Sequence, residues 1–354
     1  MDFMVDERPD RSPPGIIAAG SWCVDHVKVI NKFPELEQAV EVLQENRSNG
    51  GGPYNLLKDL AKIGADFPLI GIGLLGNDAN SDYILNDCRK VGINMASMKT
   101  TDEAPTPFTD VLSVESSGRR GFLYRKGTSA LFRAGHFDFE RVEARCFHLA
   151  YLNLLPGLSS IDSSGNCDGA YVLSKYKKSG LQTSIDLVSV EDGKFSEAAE
   201  KCLPFVDVLF ANCFEIGQIS GFPTGNEYQP DVEKIKRATK VCFDMGVCEF
   251  VIVHFPSGAI AMTRDGNVFV QGSVQIPKSE ILGTVGAGDA FAAGVIYGLH
   301  EGMTIEKSLQ TGTCIAASCL FHSTTSEGIL PLKDCLELGE KYGYRTAFSS
   351  APSL

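Results

Sequence analysis

Residues 282–299 read LGTVGAGDAFAAGVIYGL, a glycine-rich turn that runs directly into a helix-forming segment. Apolar side chains recur at helical spacing between Phe291 and Leu299, so a helix is predicted to follow the segment G-A-G-D (286–289). Small residues let a backbone approach a ligand closely, and the N–H groups and dipole at a helix start favour an anion. The stretch therefore predicts an anion hole at Gly286, Ala287 and Gly288, with the Asp289 carboxylate directly behind it.

A carboxylate next to an anion hole suits phosphoryl transfer. Asp289 can accept the proton of an attacking hydroxyl while the N–H groups of the turn stabilise charge on the moving phosphoryl group. The alternative is purely structural, with Asp289 as a helix cap and the glycines as a tight turn. The well-formed helix pattern downstream favours the functional interpretation.

The rest of the chain alternates apolar runs with amphipathic stretches. FPLIGIGLLG (67–76) and EFVIVHF (249–255) are continuous apolar runs, typical of strands that are buried on both faces. YNLLKDLAKIG (54–64) instead has helical spacing and ends at a glycine. This alternation predicts an α/β fold with a doubly wound, mostly parallel sheet flanked by helices.

Two stretches alternate apolar and polar residues and predict a small antiparallel sheet. They are VDHVKVINKF (24–33) and FTDVLSVESSGRRGFLYRKG (108–127), the second reading as a hairpin with a solvated turn at Arg119 and Arg120. We expect a lid with strands from about 22–34 and 106–127. The lid belongs to one α/β domain over 15–345, between a disordered tail at 1–14 and a second tail at 346–354.

Composition narrows the class of protein. The chain of 354 residues has 32 Lys and Arg against 44 Asp and Glu, a net charge of −12, which argues against nucleic acid or an anionic membrane as the main partner. No apolar run reaches about 18 residues, the length expected of a membrane-spanning helix. The 11 Cys include no C-x-x-C pair, and the acidic, Pro-rich start lacks the features of a signal peptide. These features predict a cytoplasmic protein with reduced thiols.

Four motifs together carry a resemblance to a known family. GTVGAGDAFAAGVIYGL resembles the C-terminal signature of the ribokinase-like, or PfkB, family of carbohydrate and nucleoside kinases, and SNGGGPYNLLKDLAKIGADFPLIGIGLLGND (48–78) resembles its N-terminal motif. Gly20-Ser21 with Asp25, and NCFE at 212–215, follow the family order over roughly residues 15–335. The resemblance implies a ribokinase-like fold and transfer of the γ-phosphoryl group of ATP to a hydroxyl of a small sugar.

The resemblance also implies roles for residues at matching positions. Asp289 corresponds to the general base, and Gly286, Ala287 and Gly288 to the anion hole. The expected contacts to sugar hydroxyls are Asp25, Gly50, Gly51 and Asn55, joined by Asn153 at a strand end. The expected contacts to the nucleotide and its metal are Asn212, Glu215, Thr284, Gly258 and Asp186. Glu215 is expected to hold Mg²⁺ through water, although Asn212 and Glu215 also fit a plain helix cap.

Departures from the family pattern and open alternatives remain. Gly283 stands where the family usually has an Asp that helps to build a monovalent-cation site, so potassium activation is expected to be weak or absent. Arg125 and Lys126 lie near the lid and can meet an anionic group of the substrate. The lid edges suggest a homodimer. The alternatives are a nucleoside kinase on the same fold and a catalytically silent binding protein, and the motifs do not decide the sugar.

Overall fold

The computed structural model describes residues 14–116, 120–139, 144–189 and 195–346. The predicted tails at 1–14 and 346–354 lie outside these ranges except for Pro14 and Thr346, and so do residues 117–119 of the predicted hairpin turn. The strands within the described ranges are β1 (Ile16–Gly20), β2 (Cys23–Ile30), β3 (Val42–Gly50), β4 (Leu69–Gly76), β5 (Met98–Thr101), β6 (Phe108–Val114), β7 (Arg120–Arg125), β8 (Cys146–Ala150), β9 (Gln182–Ile185), β10 (Val208–Asn212), β11 (Gly225–Asn226), β12 (Gln229–Pro230), β13 (Phe250–Phe255), β14 (Gly258–Thr263) and β15 (Val268–Gly272). The α-helices are α1 (Gly52–Ile63), α2 (Ala79–Lys90), α3 (Pro156–Ser159), α4 (Asp168–Lys178), α5 (Phe195–Cys202), α6 (Cys213–Ser220), α7 (Val232–Asp244), α8 (Ala287–His300), α9 (Ile305–Cys319) and α10 (Leu332–Tyr342).

A nine-stranded sheet forms the centre of the molecule, in the order β15-β14-β13-β10-β9-β8-β1-β4-β5. The strands from β13 to β5 are parallel, while β14 and β15 pair antiparallel at one edge. The predicted doubly wound, mostly parallel sheet is confirmed. Strand order reverses at β1, which lies between β4 and β8. Ligands of such sheets bind at this reversal, beyond the carboxyl ends of the strands.

Helices cover both faces of this sheet and explain its continuous apolar strands. One apolar core joins the sheet to α4, α5, α6 and α7, and includes the buried Leu173 and Tyr176 of α4. The other core joins it to α1, α2, α8, α9 and α10, and includes Leu57 and Leu60 of α1. Strand residues on both faces thereby leave water, which provides most of the driving force for this architecture. In the described part of the chain, no helix has the length and apolar character needed to cross a membrane.

A separate four-stranded sheet, in the order β3-β2-β6-β7, forms the lid. The predicted hairpin is present as β6 and β7, which pair antiparallel, while β2 and β6 pair in parallel. Strand β3 was not predicted, because most of its residues are polar and exposed and show no apolar alternation. Residues that share the inner face of the lid include Asp25, Thr109 and Tyr124, which lie opposite one another on three neighbouring strands.

Candidate active site

A cavity of 640 Å³ lies between the lid and the carboxyl ends of the parallel strands. Ser21, Tyr151, Asp186 and Asn212, which end or follow β1, β8, β9 and β10, contribute to its wall. Gly20 pairs with Ala150 across the reversal of strand order, so the cavity opens at the point where this fold places its ligands.

The N-terminus of α8 forms one wall of the cavity. Gly286 precedes the helix with φ 83°, and a Cβ at this position would lie only 2.6 Å from the carbonyl oxygen of Thr325. Both facts call for glycine. The first hydrogen bond of the helix runs from the N–H of Ala290 to the carbonyl of Gly286 (2.8 Å). The N–H groups of Gly288 and Asp289 precede that bond, in the geometry of an anion-binding helix start.

The Asp289 carboxylate lies in the first turn of α8, where it is buried and accepts hydrogen bonds from two side chains. Asn55 Nδ2 donates to Oδ2 (2.7 Å), and the Tyr151 hydroxyl donates to Oδ1 (2.7 Å) and Oδ2 (2.9 Å). Burial raises the pKa of Asp289 to about 7, the charge of Asp186 adds to this rise, and the two donors oppose it. A buried group that titrates near neutrality can exchange a proton with a bound hydroxyl.

The predicted sugar contacts converge on the same region. Asp25, Gly51 and Asn55 line the cavity, whereas Gly50 packs against the Asp25 carboxylate from behind, where a Cβ would collide with it. Burial raises the pKa of Asp25 to about 6, and hydrogen bonds from the Cys23 thiol and the Thr109 hydroxyl partly offset this rise. Two buried carboxylates from distant segments, Asp25 and Asp289, thus face one cavity.

Asn212 and Glu215 form a reciprocal cap at the start of α6 and also line the cavity. The Glu215 N–H donates to Asn212 Oδ1 (2.9 Å), and the Asn212 N–H donates to Glu215 Oε2 (2.8 Å). Burial raises the pKa of Glu215 to about 7, with the charges of Asp186 and Glu227 adding to the effect. Across the described ranges, no three His, Cys, Asp or Glu side chains cluster closely enough to hold a metal ion by themselves. Any metal at Glu215 would therefore need water or phosphate ligands.

The remaining predicted site residues divide into two groups. Asp186, Thr284 and Gly258 line the cavity. Asn153 does not, and the expectation that it faces the substrate is corrected: its side chain bonds to both the carbonyl (2.6 Å) and the N–H (3.2 Å) of Val188. These two hydrogen bonds connect the segment that follows β8 to the segment that follows β9.

Sequence reasoning missed Tyr151, whose hydroxyl donates a hydrogen bond to the Asp289 carboxylate. The available signal was its place directly after the strand CFHLA, where ligand-binding residues of this fold lie. The apolar run HLAYL instead points to Asn153 as the residue at the strand end, whereas β8 already ends at Ala150.

The lid contributes positive charge in two places. Arg125 and Lys126 line the cavity, as expected. Arg120 is not solvated as expected (Arg119 lies outside the described residues): its Nη2 lies 3.1 Å from the position of a Cβ built on Gly283, and its Nη1 is buried without a hydrogen-bond partner in the described structure. Burial lowers the pKa of Arg120. The lid tip thus packs a cation against the segment that leads into the anion hole.

The doubly wound sheet and the small lid sheet that covers it form a ribokinase-like fold. The chain belongs to the pfkB family of carbohydrate kinases, whose family model matches residues 15–332. The predicted family and enzyme class, an ATP-dependent carbohydrate kinase, are thereby confirmed.

Curated relatives and solved structures similar to this chain have the names of different sugar kinases. A 5-dehydro-2-deoxygluconokinase of Geobacillus thermodenitrificans (strain NG80-2) is 26% identical over 344 residues, 93% of each chain. A ketohexokinase of Mus musculus is 24% identical and covers 85% of this chain and 94% of its own. The structure of Arabidopsis thaliana ribokinase complexed with ribose and ATP has a TM-score of 0.73 at 21% identity, covering 92% of this chain and 98% of that one.

Proposed function

We propose that the protein phosphorylates a hydroxyl group of a small sugar with ATP as the donor, with Asp289 as general base and Gly286–Gly288 as the anion hole. The observation that carries this proposal is the Asp289 carboxylate. It is buried, its pKa lies near neutrality, and it occupies the first turn of the helix whose start faces the cavity. A carboxylate in this place suits removal of the proton from an acceptor hydroxyl next to a transferring phosphoryl group.

In the proposed reaction, the acceptor hydroxyl passes its proton to Asp289 while its oxygen forms a bond to the γ-phosphorus. The bond between that phosphorus and the oxygen that bridges to the β-phosphate breaks, and ADP leaves with this oxygen. The N–H groups at the start of α8 stabilise the charge on the phosphoryl oxygens during transfer. The lid limits access of water, which would compete as the acceptor.

The nucleotide would occupy the half of the cavity that contains Gly258, Thr284 and Asp186. Glu215 and Glu227 line the same cavity, burial raises the pKa of both, and the charges of Asp186 and Glu227 add to the rise at Glu215. A divalent cation would relieve this repulsion, so the carboxylates fit Mg²⁺ held through water by Glu215. When bound, Mg²⁺ supplies charge neutralisation for the phosphate groups.

The acceptor would lie in the other half, beside Asp25, Gly51 and Asn55. Their carboxylate, backbone and amide groups suit vicinal hydroxyls. Arg125 and Lys126 bring positive charge to the same cavity, so sugars that carry a carboxylate or phosphate fit as well as neutral ones. This charge makes acidic sugars a priority for testing.

A nucleoside acceptor is the second candidate. Phe122 and Tyr124 of β7 line the cavity and are 56% and 45% exposed. Aromatic faces of this kind can stack on a nucleobase. A nucleoside kinase would use the same base and the same anion hole.

The test is a screen of ATP consumption over neutral sugars, acidic sugars and nucleosides, with Asp289→Asn as the inactive control. ADP release that depends on a sugar and is lost in the variant supports the proposal. Release with nucleosides alone supports the second candidate. Calorimetric binding of a sugar without any ADP release would instead indicate a catalytically silent binding protein.

We also propose a homodimer that forms through the lid. The outer part of the lid exposes apolar side chains at Val42, Leu43 and Leu123, and its sheet ends in two edge strands. Sedimentation at several protein concentrations tests this, and Leu123→Lys should weaken a lid-mediated dimer. The cytoplasmic location stays a prediction.

A further inference from the structure

Tyr151 makes a contact that no sequence motif predicts. Its hydroxyl bridges both oxygens of Asp289, at 2.7 Å from Oδ1 and 2.9 Å from Oδ2. Asn55 donates to Oδ2 as well (2.7 Å). A carboxylate offers about four lone-pair sites. A hydroxyl has a single proton, and the shorter distance makes Oδ1 its main acceptor. Tyr151 therefore holds Oδ1 and Asn55 holds Oδ2, and each oxygen retains a lone pair for another donor.

The position of Tyr151 is fixed from three sides. Its backbone is left-handed, with φ 55° and ψ 43°, which is uncommon for a residue with a large side chain. Its N–H donates to Asp186 Oδ1 (2.9 Å). Its ring packs on α1 at Gly52, where a Cβ would lie 3.2 Å from Cδ1 and Cε1. Strained backbone that the surroundings hold in place is typical of functional sites.

We propose that Tyr151 is a positioning residue for Asp289: its hydroxyl holds one carboxylate oxygen while Asn55 holds the other, so that the carboxylate keeps one orientation in which a free lone pair takes the proton of the acceptor hydroxyl. This inference rests on the proposed function, because it assumes that Asp289 is the base. It gives a role to the tyrosine that directly follows β8.

The same contact affects the ionisation of Asp289. Burial and the charge of Asp186 raise its pKa, while the hydrogen bonds from Tyr151 and Asn55 favour the charged form. Loss of the phenol should raise the pKa further and leave less ionised base at neutral pH. The other titratable groups that face Asp289 from the surrounding elements are Cys23, Asp59, Asp186, Glu215, His254 and Cys319. These groups stay in place when only the phenolic oxygen is removed.

Tyr151→Phe removes that oxygen and keeps the ring that packs on α1. The measurement is kcat against pH from 5.5 to 9.5 with the best acceptor from the screen. We expect the acid limb to move up by about one unit, which lowers kcat about tenfold on that limb and restores it near pH 9. The matched control is Tyr176→Phe, because the Tyr176 hydroxyl is buried without a hydrogen-bond partner in the described structure. It should leave the limb unchanged.

A loss of activity in Tyr151→Phe that is equal at every pH would overturn the inference, since a merely structural role lowers the whole profile. An unchanged profile would overturn it too. A readout that needs no activity is the ¹³C NMR titration of the Asp289 carboxyl carbon, assigned with Asp289→Asn. If the screen finds no acceptor, the proposed function fails, yet the titration still tests Tyr151. A carboxyl pKa that does not rise in Tyr151→Phe then refutes the positioning role.

Discussion

Replacement of Asp289 by Asn should lower the turnover rate without lowering the stability of the fold. The variant keeps the shape of the side chain and can still accept the hydrogen bond from Asn55 Nδ2. It cannot take up a proton from an acceptor hydroxyl, and loss of a general base typically lowers kcat by ~10²–10⁴-fold. Substrate affinity should change little, because the residues that hold the sugar remain.

The same change should stabilise the fold at neutral and higher pH. The pKa of Asp289 rises from 3.8 to about 7 in the folded chain, which corresponds to a penalty on the order of 4 kcal/mol for the ionised form. The folded carboxyl holds its proton more tightly than the unfolded one, so wild-type stability falls as pH rises through this window. The gain of Asp289→Asn should therefore be complete above pH 7 and should vanish toward pH 4.

Three measurements check this reasoning: turnover, calorimetric affinity for the sugar, and Tm between pH 4 and pH 8. We expect turnover to collapse, affinity to hold and Tm to rise by several degrees at pH 8. More than half of wild-type turnover in Asp289→Asn would refute the general-base assignment. A Tm difference that is the same at pH 4.5 and pH 8 would refute the electrostatic argument.

Three further changes follow from other parts of the molecule. Glu215→Gln should move the Mg²⁺ dependence of activity to higher concentration, because the amide lacks the charge that holds metal-bound water; a Mg²⁺ titration measures it. Potassium should activate the enzyme weakly or not at all, because Gly283 offers no carboxylate and the Arg120 guanidinium beside it repels a cation; the assay replaces K⁺ by a large organic cation at equal ionic strength. Asp59→Asn should raise stability above the ordinary pH range of carboxyl titration, because the Asp59 side chain is fully buried and burial raises its pKa, an effect that the nearby Ser326 hydroxyl only partly offsets. That gain should disappear toward pH 4, as followed by thermal unfolding.

Each of these predictions has a result that contradicts it. An unchanged Mg²⁺ half-saturation in Glu215→Gln would leave Glu215 with only its capping role, and Glu227→Gln serves as the comparison at the same cavity. A several-fold gain specific to K⁺ would show that backbone carbonyls suffice near Gly283. An Asp59→Asn protein that is less stable than the wild type at pH 8 would show that the interaction of Asp59 with Ser326 outweighs the cost of burying the carboxyl group.

Much of the fold could be predicted from local patterns in the sequence. Helical spacing and a terminal glycine placed α1, which runs from Gly52 to Ile63 and ends at Gly64 with φ 87°. The same reasoning predicted α8 and the lid hairpin of β6 and β7, although α8 begins at Ala287 and so includes Asp289, which was expected to precede the helix. These features depend on spacing and on backbone freedom over a few residues, which the sequence states directly. Strand β3 carries no such pattern and was missed.

The arrangement around Asp289 depends on contacts that the sequence does not express. Asn55 and Asp289 are 234 positions apart, and Tyr151 and Asp289 are 138 apart. They meet because the order of the sheet places the ends of β1 and β8 side by side and packs α1 and α8 on one face. The motifs marked Asp289 and Asn55 as site residues. Three contacts became known only from the tertiary structure: Tyr151 with the Asp289 carboxylate, Asn153 with the backbone of Val188, and Arg120 next to Gly283. Loop conformation and strand order decide which side chains share a cavity, and local periodicity does not describe either of them.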